Sequence, residues 1–208
     1  TDQLATLIQH WVRLQITLPA PPTAQYWNAA FRQPAEELPW FSTAVEPELL
    51  GALNSVPVGR LLEVGTGLGL VAATMATRGF RVMATDVSIE ALTRAPRLHP
   101  NCDVDWLEDD LLNTRVRSTF DCVVDRCVLH TLPAARQAEY TAALLRWLKP
   151  GGTLALLVHR PEAPAELQTV RFTIEALERL LAPLKLVSSA AISMTDRAHT
   201  PAWLCVFV

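Results

Sequence analysis

The chain has 208 residues, half of them hydrophobic and 19% charged, with a formal net charge of -3. That composition suits one well-buried globular domain and is marginal for two. Only Lys149 and Lys185 are lysines and the arginines are scattered, so the sequence offers no basic stripe for nucleic acid.

In chain order, residues 2–16 carry apolar positions at helical spacing behind Asp2, and PAPPT (19–23) breaks them with an extended linker. With an acidic start and no cleavage signal, no secretory leader is expected there, and a chain opening at Thr1 reads as processed or trimmed. YWNAAFRQPAEELPWFSTAVEPELLGAL follows, aromatic but interrupted by Pro34, Pro39 and Pro47. It predicts a short helix, a loop around Pro39-Trp40, and a helix from about Glu46 to Leu53. Beyond it come the strand-like runs RLLEV (60–64), RVMAT (81–85), VDWL (104–107), DCVVD (121–125) and TLALLV (153–158). Helical stretches at 69–78, 88–95, 134–148 and 173–182 separate or follow them, which predicts crossovers and a parallel sheet. The last two runs, 184–194 and 202–208, are joined by a short loop without a helix, so the final strand is expected to be antiparallel.

No apolar run reaches the ~20 residues of a membrane span. Cys102, Cys122, Cys127 and Cys205 form no CxxC pair and read as free thiols of a reducing compartment, so a cytoplasmic location is expected. His10, His99, His159 and His199 show no metal spacing among themselves, and no metal is expected.

The stretch LLEVGTGLGLVAATMATRGFRVMATD (61–86) carries the chemistry. Gly65, Gly67 and Gly69 alternate between a strand and a helix, a turn that brings bare backbone close to a ligand. The dinucleotide fingerprint is G-x-G-x-x-G; here the third glycine comes one residue early and Glu63 precedes the first. Asp86, at the end of the next strand, can accept both hydroxyls of a ribose. A carboxylate at Glu63 repels a pyrophosphate and favours a cation, so a nucleoside with a cationic tail fits better than a dinucleotide. Glu63 satisfied by backbone N–H groups is an equal alternative.

E-x-G-x-G-x-G, the acid closing the second strand and the acidic doublet after the third resemble class I S-adenosylmethionine-dependent methyltransferases over roughly residues 45–208. The resemblance implies a single α/β domain over 1–208: a Rossmann-like seven-stranded sheet, mostly parallel with an antiparallel last strand, helices on both faces, a helical cap over 1–45 and a cofactor-binding core over 46–208. It implies S-adenosylmethionine as cofactor and S-adenosylhomocysteine as product. Gly65, Thr66 and Gly67, with Gly69, would pass beneath the methionine end and Glu63 would lie near its amino group. Asp86 would take the ribose hydroxyls, and Val87 would flank the adenine. In WLEDDLL, Asp110 in preference to Asp109 would meet the adenine amino group beside Leu111. Asp125, ending the fourth strand, belongs to the same cofactor set, as does Trp40.

FDCVVDRCVLHTLPAARQAEY and YWNAAFRQPAEELPWF are similar to the thiopurine, tellurite-resistance and thiol methyltransferase branch, whose members methylate small soft nucleophiles. That branch's thiopurine members carry a proline-rich GPP-F stretch where this chain has HRPEAPAELQTVRF, the expected place for a different pocket wall. On this resemblance Trp27, Phe31, Trp40 and Phe41 line the acceptor site as a lid, and Cys127 faces the transferred methyl or is a small buried contact. Arg126 pairs with an anionic acceptor or with Asp125. His130 serves as a base for a hydroxyl or amine acceptor, or packs beside Leu132. The expected partner is a small-molecule methyl acceptor, with no nucleic acid or membrane and a monomer or homodimer as the assembly. The alternatives are O- or N-methyl transfer to a biosynthetic intermediate, a non-catalytic cofactor-binding subunit, and a nicotinamide oxidoreductase.

Overall fold

The computed structural model describes residues 23–208; the helix expected over 2–16 lies outside them. Seven strands form one sheet in the order β3-β2-β1-β4-β5-β7-β6. They are β1 (Arg60–Val64), β2 (Arg81–Asp86), β3 (Val104–Glu108), β4 (Phe120–Arg126), β5 (Leu148–His159), β6 (Leu186–Ser193) and β7 (Pro201–Phe207). The first five pair in parallel, and β7 lies antiparallel to both β5 and β6, as the short final connection requires. β5 begins earlier than expected because Leu148 already pairs with Phe120, ahead of an irregularity in the ladder.

Successive strand residues face opposite sides of a sheet, and both sides are covered here. Leu62, Val64 and Val123 enter a core closed by α5 (Gln137–Trp147) and α6 (Ile174–Leu181). Leu61, Cys122 and Val124 enter a second core closed by α2 (Pro47–Asn54) and α3 (Leu70–Thr77). A strand buried on both faces reads as a continuous apolar run, which is why RLLEV and DCVVD stand out in the sequence. α4 (Ile89–Leu98) follows β2, N-capped by Ser88, whose hydroxyl accepts the Ala91 N–H at 3.2 Å.

The described part of the cap is α1 (Ala24–Phe31) and a 3₁₀ turn at Ala35–Glu37. Thr23 N-caps α1, its Oγ1 accepting from Tyr26 N–H at 3.3 Å. Polar contacts seat the cap on α4. Asn28 Oδ1 accepts the Ser88 hydroxyl at 2.7 Å, and Arg94 Nη1 donates to the carbonyls of Phe31 at 2.5 Å and Gln33 at 2.7 Å.

Strand order reverses between β1 and β4, the place where open α/β sheets leave a crevice at the carboxyl ends. The register sets Val64 beside both Thr85 and Asp125, so Glu63, Asp86 and Asp125 reach one edge of the sheet together.

Candidate active site

A cavity of about 480 Å³ opens at that edge, within the range of small-molecule sites. Its lining includes Glu63, Gly65, Thr66, Gly67, Asp86, Val87, Asp110 and Leu111 on one side. Trp27, Phe31, Trp40 and Phe41 cover it, and Arg126, Cys127 and His130 stand at the far end. The sequence expectations for these residues therefore converge on one space.

The turn after β1 is built around Glu63. One carboxylate oxygen, Oε2, accepts the Thr66 hydroxyl at 2.6 Å and the Ala72 N–H of α3 at 2.8 Å. The other oxygen has no hydrogen-bond partner among the described residues. Burial raises the Glu63 pKa to about 7 against the pull of those two donors. A buried carboxylate with a spare oxygen at neutrality is poised to receive a cation. Gly65 is in the left-handed region at φ +60, where a Cβ would stand 2.1 Å from Val128 Cγ2, so the turn closes only on glycine.

Asp86 spans the same turn: Oδ2 accepts the Gly67 N–H and Oδ1 the Ser88 N–H, each at 2.8 Å. Burial raises it to about 6. Each oxygen keeps a further lone pair for a hydroxyl.

Both carboxyls of the acidic doublet line the cavity, and they differ in their bonds. Asp109 is buried and takes the Thr114 hydroxyl at 2.6 Å and the Arg115 N–H at 2.8 Å, holding the loop after β3. Asp110 is exposed and caps the Leu111–Asn113 turn through the Leu112 N–H at 3.0 Å, and its other oxygen has no hydrogen-bond partner among the described residues.

Three expectations need correction. Gly69 does not line the cavity; it is the left-handed N-cap of α3 at φ +80, and a Cβ there would lie 2.4 Å from the Trp106 ring. Its glycine serves helix–strand packing. Asp125 does not line the cavity either. It is fully buried, accepting the N–H groups of Val128 at 2.7 Å and Leu129 at 3.0 Å and the Tyr140 hydroxyl, so it fixes the loop after β4. Finally, Arg126 pairs with Glu46 and not Asp125: Nη2 donates to Oε1 at 2.6 Å and Nε to Oε2 at 3.0 Å. Glu46, wholly buried before Pro47, also accepts the Thr195 N–H at 3.2 Å and hydroxyl at 2.9 Å. The pair ties the end of the cap to β4 and to the β6–β7 connection.

The lid aromatics pack edge to face, with Trp27–Trp40 centroids 5.5 Å apart and Phe31–Trp40 centroids 6.0 Å apart. Leu38, fully buried beneath them, anchors the Pro39-Trp40 loop.

At the far end the fold assembles a cluster the sequence did not show. Cys127 adopts φ 78, which turns the chain sharply after β4. His130 stacks on His159 of β5, with ring centroids 3.7 Å apart and planes 19° apart. The donor atoms of Cys127, His130 and His159 lie within 4.8 Å of one another. A metal would need a lone pair from each imidazole, and His130 is set up otherwise. Its Nδ1 accepts the backbone N–H of His159 at 3.3 Å, so that nitrogen is bare. Burial, with His159 and Arg126 nearby, holds the His130 pKa well below the usual value. The neutral ring therefore carries its proton on Nε2 and presents a donor. His159 Nδ1 meets Thr169 Oγ1 at 2.7 Å, and burial lowers its pKa to about 4. Burial raises the Cys127 thiol far above its ordinary value, and its sulfur lies 3.6 Å from Met194 Sδ.

Leu167 and Thr169 also line the cavity, so the HRPEAPAELQTVRF segment does supply a wall. Met194, Asp196 and Thr200 of the β6–β7 connection line it too, and nothing local in their sequence marks them.

Residues 61–152 match the family model described as a methyltransferase domain. That stretch is similar to a methyltransferase domain. An uncharacterised methyltransferase of Mycobacterium bovis is 35% identical over 122 residues, covering 57% of this chain and 60% of that protein. This chain thus spans less than two thirds of that relative's length. A solved structure concerned with conversion of a disulfide bond into a thioacetal group during echinomycin biosynthesis superposes with a TM-score of 0.76 at 21% identity, covering 89% of this chain and 92% of the other. The N-methyltransferase NodS of Bradyrhizobium japonicum, in complex with S-adenosyl-L-homocysteine, superposes with a TM-score of 0.66 at 22% identity, covering 77% and 83%. These two share the fold of this chain. Among the described residues no helix is long and apolar enough to cross a membrane.

Proposed function

We propose that this chain transfers the methyl group of S-adenosylmethionine to a small thiol or a comparably soft nucleophile. The reading is carried by one observation: the glycine turn, Asp86, the aromatic lid and the segment after β4 all face a single cavity. The spare oxygen of Glu63 receives the amino group, Asp86 the ribose hydroxyls and Asp110 the adenine amino group, while Val87 and Leu111 flank the adenine. Gly65, Thr66 and Gly67 pass under the methionine end.

The cofactor supplies a methyl carbon already activated by its sulfonium. What the chain adds is alignment of the acceptor and exclusion of water, which carry most of the acceleration in such a displacement. Trp40 and its neighbours shield the sulfonium, and aromatic faces attract cations by ~0.5–2 kcal/mol per contact. The far end favours an acceptor that needs no base. Arg126 is engaged by Glu46, His130 presents a proton, and His159 is a weak base. A hydroxyl acceptor requires deprotonation in place; a thiol is partly thiolate near neutrality.

The test is methyl transfer from labelled cofactor to a panel of small thiols and selenide, with phenols and amines as controls. Turnover confined to the soft nucleophiles supports the reading. Turnover only with phenols or amines keeps the methyltransferase and overturns the acceptor. Cofactor binding without turnover of any compound points to a binding subunit.

A further inference from the structure

Arg126, the last residue of β4, and His130, just beyond it, both line the acceptor end of the cavity, and each carries an N–H group that no described residue takes up. His130 is 4% exposed, and its protonated Nε2 has no hydrogen-bond partner among the described residues. Arg126 uses Nε and Nη2 on Glu46, which leaves Nη1 without a partner among them. A buried donor left unmade costs ~1–3 kcal/mol, more when charged, so each group favours an acceptor that enters the cavity. The charged and titratable neighbours do not compete for them. Glu46 is turned to Arg126 and Thr195, and Asp196 accepts the Thr200 N–H at 3.0 Å and hydroxyl at 2.8 Å. Cys127 holds a protonated thiol against Met194, and the His159 ring faces Thr169.

We propose that the acceptor enters this end as an anion, its thiolate sulfur received by the Nε2–H of His130 and the free Nη1 edge of Arg126. The inference rests on the methyl-transfer reading and narrows its substrate to a thiol that is deprotonated before the reaction. The thiol proton leaves to solvent on binding. In the transfer itself the thiolate electron pair forms the new S–CH₃ bond, the bond from methyl to sulfonium breaks, and its pair stays on the cofactor's sulfur. No proton moves in that step, so His130 acts as a donor that selects the anion and not as a base. Replacing it by a residue with a side-chain N–H keeps the selection; replacing it by a hydrocarbon weakens it and leaves Arg126 alone to receive the anion.

The experiment is a pH titration of thiophenol, whose thiolate is read by its ultraviolet absorbance, free and in the presence of protein loaded with S-adenosylhomocysteine. Bound thiophenol is expected to stay thiolate to at least tenfold higher proton concentration than free thiophenol. His130→Gln is expected to retain that shift and His130→Leu to reduce it, Arg126 still being present, with S-adenosylhomocysteine affinity confirming that each variant is folded. A bound titration midpoint equal to or above the free one overturns the proposal, as does a His130→Leu variant that titrates like the parent. Failure of thiophenol to bind the loaded protein also overturns it. Should His130→Leu not fold, the parent's own shift decides. Failure to bind S-adenosylhomocysteine counts against the methyl-transfer reading itself, whereas methylation of amines with neutral thiophenol bound overturns only this inference.

Discussion

Lowering the pH from 8 to 6 is expected to weaken S-adenosylhomocysteine binding. The carboxyl of Glu63 is raised to about 7 by burial, and only its ionised form complements an ammonium group. A cation in contact lowers that pKa, so the free protein holds more protons than the complex. Affinity must then fall as pH drops through 7. The ionised fraction falls from about nine tenths to about one tenth across the interval, a tenfold loss of affinity or roughly 1.4 kcal/mol. Asp86, raised to about 6, adds about a further factor of two at the lower end. The assay is calorimetric titration at pH 6, 7 and 8 in two buffers of different ionisation enthalpy, which also counts the protons released. Glu63→Gln can keep the acceptor that Thr66 and Ala72 bond to, and it is expected to bind more weakly at pH 8 with most of the pH dependence gone. Affinity that is flat or rises on acidification refutes the placement of the amino group at Glu63.

The same raised pKa values make the ligand-free protein gain stability as pH falls from 8 towards 6, because Glu63, Asp86 and Asp125 hold protons there that the unfolded chain does not. Thermal midpoints measured across that interval check the sign; a falling midpoint contradicts it. Gly65→Ala combines a left-handed φ with a Cβ 2.1 Å from Val128 Cγ2 and is expected to cost about 2–5 kcal/mol in denaturant unfolding. Adding Val128→Ala removes the clash and returns part of that loss, and no recovery contradicts the geometry. Arg126→Leu strands the wholly buried Glu46 carboxylate and is expected to cost about 3–5 kcal/mol by the same measurement. Asp109→Ala is expected to lower stability by about 1–3 kcal/mol, whereas Asp110→Ala loses only the exposed cap of a short turn, about 0.5–1 kcal/mol, and weakens S-adenosylhomocysteine.

The glycine turn and Asp86 were legible because strand, turn and helix follow one another within 26 residues, and each is marked by its own residue type. The sheet was legible for the same reason: apolar runs alternate with helical patterns, and the missing helix before β7 announces its reversal. The lid was visible as aromatics between prolines. Long-range pairing was not. Glu46 and Arg126 are 80 residues apart, and nothing near either announces the other. His130 and His159 are brought together only by the end of β5, so a search for metal spacing along the chain passes over them. Asp125 misled because a strand-end acid looks the same whether it meets a ligand or caps its own loop. Only its bonds to Val128, Leu129 and Tyr140 tell the two apart.

The most direct measurement is the affinity of S-adenosylhomocysteine for the protein and for its Asp86→Asn variant, by calorimetry at pH 8. The account predicts one site per chain and a loss of about 10- to 100-fold in the variant, the worth of hydrogen bonds to a charged carboxylate. Absence of binding, or equal affinity of the two proteins, would contradict it.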